Sequence, residues 1–210
     1  MPADATSAIL KRMIRAIFFD FYGVWVPDRF SEYLKQAEQF GPVITNDLQG
    51  VVGRYFQGKA TPQEVAENFQ LKLHRPDIDA EQFTLLETDI APQVGDFMRE
   101  LHSHFVKLGV LADLGVQEYQ LLTNFNTHNQ LFEVITGPLP LGLNVPLLSQ
   151  EVFAAALQTI GEPPKSCLVI TGNESYKRFA ESLGMMTMPF EGLPALRGTL
   201  NQILASEASS

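Results

Sequence analysis

With 210 residues, 45% of them hydrophobic and 19% charged, the chain can fill one large core, or one core carrying a smaller insert. A formal charge of −9 argues against a nucleic-acid-binding surface, which needs clustered Lys and Arg. The single cysteine, Cys167 in CLVIT, excludes an internal disulfide framework, fits a reducing compartment and reads as a small packed hydrophobe.

Lys11, Arg12 and Arg15 precede an apolar run that Asp20 interrupts after four residues. That is too short for a signal-peptide core, and nothing approaches the ~18 apolar residues of a membrane span. The expectation is a soluble cytoplasmic protein with neither a membrane nor a nucleic-acid partner. Five short apolar runs have the length and bounds of buried strands: RAIFFDF (15–21), FVKLGVLAD (105–113), FEVIT (132–136), SCLVITG (166–172) and MMTMPF (185–190).

Between the first two runs lie about eighty residues with no convincing strand. SEYLKQAEQF, DLQGVVGRYF, TPQEVAENFQLKL, DAEQFTLLE and PQVGDFMRELHSHF read there as helices. Thr61-Pro62-Gln63-Glu64 is a capping box with proline at the first helical position, and Asp79 with Gln82 is a weaker start. Further on, Val152, Phe153, Ala156, Leu157 and Ile160 share one face of 149–160, as do Tyr176, Phe179, Ala180 and Leu183 in 174–183. GLPALRGTLNQIL reads as a closing helix and ASEASS (205–210) as a frayed end. Strands alternating with helices predict an α/β fold: a doubly wound parallel sheet with an inserted all-helical cap. The core takes 12–27 and 93–205, and the cap 28–92.

Ligands in such a sheet bind beyond the carboxyl ends of the strands. Those ends are Asp20, Phe21 and Tyr22; Ala112, Asp113 and Leu114; and Thr171, Gly172 and Asn173. A helical insert leaving from the end of the first strand would lie over them as a lid.

A strand ending in Asp-x-x-Gly-Val, a helical insert, LGVLAD, and then CLVITGNESYKRFAESLGM together resemble the haloacid dehalogenase (HAD) superfamily in its helical-cap branch. The likeness runs from about Arg15 to Leu204. It implies a Rossmann-like core whose first-strand Asp attacks the substrate, and Asp20 takes that place. In the family's phosphatases a second Asp two residues on is the acid/base. Here it is Tyr22, a poor acid/base at a pKa of about 10. The Ser or Thr expected at the second strand's end is Ala112, the expected lysine falls at Leu147 or Val145, and the Mg²⁺ carboxylates fall at Gly172 and Asn173. Asp20 alone makes a thin metal site, so Mg²⁺ is disfavoured and no cofactor is expected.

The metal-free 2-haloacid dehalogenases offer a second comparison, with Asp-x-Tyr-Gly at the first strand and an Asn where Asn173 stands. Thr171 stands in for their Ser, and Arg29 or Arg54 for their cap arginine. Ala112, Leu147, Phe153 and Tyr176 depart from their Ser, Lys, Tyr and Asp. Asp20, Tyr22, Thr171 and Asn173 thus form half of such a site. Asp20 also has a turn-forming reading, and Asp113 that of a cap for the helix from Gly115. Trp25, Phe30 and Tyr33 line a pocket or pack cap to core, while His102 and His104 lie on a solvated helix end.

The expectation is a HAD-like protein that has lost hydrolase activity and acts by binding a partner or a ligand. The alternative is a metal-independent hydrolase using Asp20 as nucleophile. An oligomer or complex would form through the apolar, proline-bearing stretch 135–148, ITGPLPLGLNVPLL.

Overall fold

The runs AIFF, LGVL and CLVIT become strands because each is buried on both faces, as the inner strands of a parallel sheet must be, whereas the edge strand within MMTMPF is only partly covered. The computed structural model describes residues 14–84, 92–104, 106–143 and 147–205. In chain order the elements are β1 (Ala16–Phe19), α1 (Arg29–Ala37), α2 (Pro42–Phe56), α3 (Pro62–Leu73), α4 (Pro92–Ser103) and β2 (Lys107–Leu111). Then come α5 (Val116–Asn129), β3 (Val134–Thr136), α6 (Gln150–Ile160), β4 (Cys167–Thr171), α7 (Glu174–Ser182), β5 (Met186–Pro189) and α8 (Leu193–Ala205). All five strands are parallel, in the order β3-β2-β1-β4-β5.

The pleat divides β1 between two cores. Ile17 and Phe19 face a cluster built with Phe97, Met98 and Leu101 of α4, Leu122 of α5 and Leu196 of α8. Ala16 and Phe18 face the opposite cluster with Val152, Phe153 and Ala156 of α6 and Ala180 of α7. Helices therefore cover both faces, as the alternation predicts. Gly109 of β2 lies under the Phe18 ring, and a Cβ there would stand 2.8 Å from it.

Between β1 and β2 the helices α1 to α3 surround their own apolar cluster, with Phe30, Tyr33, Leu48, Phe69 and Phe83 at its centre. The capping box forms as read: Thr61 Oγ1 accepts the Glu64 N–H at 3.2 Å, and Glu64 Oε2 accepts the Thr61 N–H at 2.7 Å. DAEQFTLLE gives only a 3-10 turn, Ala80–Phe83, although Asp79 caps it through the Gln82 N–H at 3.2 Å. Burial of Phe83 and extended backbone at Thr84 end it there, and 85–87 fall outside the described residues. Asp113 does not cap α5. Gly115 holds that place with no side-chain bond, and the Asp113 carboxylate is stabilised by the Leu147 backbone amide instead.

The described part of 135–148 folds inward. Leu141, Leu143 and Leu148 pack on the α6–α7 cluster, and a Cβ on Gly137 would meet the Ala112 carbonyl oxygen at 2.1 Å. Val145 and most of the tail 205–210 lie outside the described residues, Ala205 closing α8. No described helix is long and apolar enough to cross a membrane.

Candidate functional site

The chain runs from β1 out to β2 and β3 and then returns to place β4 on the other side of β1. The switch point of the sheet therefore lies between β1 and β4, where the chain leaves a crevice beyond the strand ends. Asp20 and Thr171 stand at its edge. The Thr171 hydroxyl donates to Asp20 Oδ2 at 2.7 Å, and the Phe21 N–H donates to Oδ1 at 2.8 Å. Thr171 Oγ1 in turn accepts the Asn173 N–H at 3.0 Å. Asn173 turns its own Oδ1 to α7, capping it through the N–H groups of Ser175 and Tyr176 at 2.9 and 3.0 Å. Of the residues that sequence nominates, Asp20, Thr171 and Asn173 come together. Tyr22 lines the same space but aims its hydroxyl elsewhere.

That space is a cavity of about 490 Å³ between the strand ends and the helical insert. Asp20, Asp28 and Asp113 contribute its acids, and Tyr22, Phe30 and Phe56 its aromatic wall. Among the described residues no Lys, Arg or His lines it. Burial pushes the Asp20 carboxyl up to about 7. The Thr171 and Phe21 bonds work against that rise, and the charges of Asp113 and Asp28 add to it. Burial likewise raises Asp113 to about 6, with the Leu147 N–H opposing. An acid in such surroundings keeps its proton more readily than a free carboxylate. Among the described residues no group of three or more His, Cys, Asp or Glu is placed to hold a metal ion.

The other positions singled out by sequence are occupied by packing. Ala112 is fully buried and takes no part in the cavity lining, while Leu147 and Gly172 do line it. Tyr176 also forms part of the wall, its hydroxyl donating to the Leu111 carbonyl at 2.5 Å and its ring edge-on to Phe153 at 5.5 Å. Arg29 and Arg54 are exposed and outside the lining, and His102 and His104 are exposed at the end of α4. Of the three candidate pocket aromatics, only Phe30 lines the cavity. Trp25 packs in the sheet core against Phe132 and Phe125, and Tyr33 packs in the insert against Phe69 and Phe83.

Sequence reasoning passed over Glu118. It is fully buried, and its Oε1 accepts the hydroxyls of Tyr22 from the core and Tyr55 from α2, the latter at 2.5 Å. Burial and then the Glu118 charge hold both tyrosines above their ordinary pKa, so both remain donors at neutral pH. A signal was present: Glu118 shares a helix face with Leu121 and Leu122, both buried. Asp28, which the sequence marks only as the first residue of the cap, caps α1 through the Ser31 N–H at 3.0 Å and faces the cavity.

No family model matches the chain. No curated protein matches it by sequence. Solved structures do share its fold. A predicted HAD-like family hydrolase from Porphyromonas gingivalis superposes with a TM-score of 0.60 at 19% identity, covering 90% of this chain and 98% of that one. A HAD family enzyme from Bacteroides thetaiotaomicron, solved with magnesium and inorganic phosphate, gives 0.54 at 16%, covering 87% and 98%. The L-2-haloacid dehalogenase from Xanthobacter autotrophicus gives 0.56 at 18%, covering 86% and 79%. The chain thus has the HAD fold that its motifs resemble.

Proposed function

We propose that this chain uses its HAD fold to bind a small ligand non-covalently in the cavity over Asp20, and that it no longer performs hydrolysis. One observation carries the reading: among the described residues, three carboxylates and no cationic side chain line the space where chemistry would occur. Attack by a carboxylate on a phosphate or a haloacid brings two negative groups together, so catalysis depends on positive charge placed to stabilise them. Asp20 instead sits near two further acids, with its proton affinity raised.

The donors present do not fit magnesium. Beside Asp20 the neighbouring strand end offers Gly172, and an Asn173 whose Oδ1 already accepts two helix N–H groups. Tyr22 directs its hydroxyl to Glu118. The inward packing of 135–148 leads us to place binding in the cavity rather than on that stretch. A cytoplasmic location accords with the single, buried thiol of Cys167.

A metal-independent hydrolase is the second reading. It is favoured by the fixed orientation of Asp20, which Thr171 and Phe21 hold from either side. The test is a screen of purified protein over phosphate monoesters and 2-haloacids, with and without Mg²⁺. We expect no turnover above that of Asp20→Ala and no rise in melting temperature with millimolar Mg²⁺, since a ligand stabilises only what it binds. Turnover that vanishes in Asp20→Ala would establish the hydrolase instead.

A further inference from the structure

We infer that the cavity accepts an organic cation: an ammonium group, primary or quaternary, carried on a small apolar body. This rests on the binding reading above and specifies the ligand's class. Two independent features of the wall agree. The first is charge. Asp20 lies within electrostatic reach of both Asp28 and Asp113, all three line the space, and among the described residues no Lys, Arg or His in the lining offsets them. A phosphate or carboxylate ligand would enter against three acids with no compensating partner, which electrostatic complementarity disfavours.

The second feature is aromatic. Tyr22, Phe30 and Phe56 all line the cavity and pack on one another, with ring centroids 5.3 Å apart for Tyr22–Phe30, 5.7 Å for Tyr22–Phe56 and 5.1 Å for Phe30–Phe56. The negative face of an aromatic ring attracts alkylammonium groups, and clustered rings are a recurrent means of holding them. Leu34, Val52, Leu147 and Leu148 complete the wall and would cover the ligand's apolar body. A volume of about 490 Å³ is within the range of small-molecule sites. A bare divalent ion fits less well, because it needs several converging oxygens, and no described cluster supplies them. An alkylammonium carries a more diffuse charge and makes no such geometric demand.

Isothermal titration calorimetry on the full chain tests this with benzyltrimethylammonium, the neutral 3-phenylpropanol and the anionic phenylacetate. The expected result is saturable one-to-one binding of the ammonium, about tenfold or more tighter than either comparator. Asp28→Asn should weaken the ammonium severalfold and leave the alcohol unchanged. Asparagine caps a helix about as well as aspartate, so α1 should persist. Phe56→Leu should lower the preference for cation over alcohol while the apolar contact remains. The inference is overturned if phenylacetate or the alcohol binds as tightly as the ammonium, if the ammonium does not bind the native protein, or if neither variant changes the preference. Tight binding of the anion or the alcohol without turnover would retain the binding reading and remove only the cation. Turnover that depends on Asp20 would remove the binding reading itself.

Discussion

Glu118 and Asp20 are both acids that accept hydroxyl donors, yet their surroundings differ. Glu118 is enclosed on every side: two tyrosine hydroxyls meet on Oε1, and Oε2 has no hydrogen-bond partner among the described residues. A Cβ on Gly115 would stand 2.5 Å from that oxygen, so only glycine lets the helix start close over it. Asp20 is held just as firmly from behind, by Thr171 and Phe21, but its other side opens on the cavity. One carboxylate joins the helical insert to the core, through Tyr55 and Tyr22. The other faces room for a ligand. A buried acid is therefore better judged by what stands opposite its second face than by its burial.

The largest effect that would test this contrast is on stability. Glu118→Ala should cost about 3 kcal/mol in urea unfolding, because it leaves two buried hydroxyls without an acceptor. Glu118→Gln keeps an acceptor oxygen and removes a buried charge, so it should come within about 1 kcal/mol of the native protein. Equal losses in the two variants would mean that Glu118 acts through its charge rather than as the shared acceptor.

A smaller effect concerns pH. Asp20 and Asp113 have folded-state pKa values of about 7 and about 6, each raised from 3.8. Between those limits the folded chain binds more protons than the unfolded one. Its stability should therefore fall as pH rises from about 4 to about 7 and level off above that. Asp77, held near 2 by Arg75, acts in the opposite direction only at lower pH. Among the described residues the groups acting on Asp20 are Asp28, Asp113, the Thr171 hydroxyl, the Phe21 N–H and the Tyr176 phenol, and none is cationic. The unfolding midpoint should be higher at about pH 5.5 than at about pH 8, and Asp20→Asn should flatten much of that slope. Stability that rises across the window in the native protein would refute the assignment.

The smallest expected change is local. Thr171→Val removes the hydroxyl that lowers the Asp20 pKa, so the carboxyl should titrate above about 7 in a carbon-detected NMR titration. The stability loss should be about 1 kcal/mol. An unmoved titration would show that burial alone sets the proton affinity of Asp20.

Much of the framework could be read from local pattern. AIFF, LGVL and CLVI are continuous apolar runs because a parallel strand is covered on both faces, and each lies within a strand. The Thr61–Glu64 cap was legible because all of its partners lie within four residues. Asp79 shows where such signals stop: its cap formed, but the turn ended after Phe83, whose burial among the insert's aromatics took over. The site was legible only in part. The Thr171 bond to Asp20 follows from a strand order that brings β4 beside β1; the motifs nominated both residues but not the bond between them. That Tyr22 serves Glu118 could not be seen, because the two are 96 residues apart and meet only once α5 and α2 have docked. The facing of three acids across the cavity likewise depends on where Asp28 and Asp113 come to rest, and the sequence marks the first only as the start of the insert and the second as a helix cap.

Tyr176 bears on any attempt to engineer chemistry into this scaffold. Its hydroxyl is anchored on the Leu111 carbonyl and its ring stands against Phe153. A lysine placed at Leu147 would enter a chamber whose back is already a fixed phenol. An acid placed at Tyr176 would first open a hole the size of that ring and deprive Leu111 of its donor. Redesign would thus have to begin at the back, with Tyr176 and Phe153 exchanged together for smaller groups that still supply a donor. Only then would changes near Asp20 find space to act.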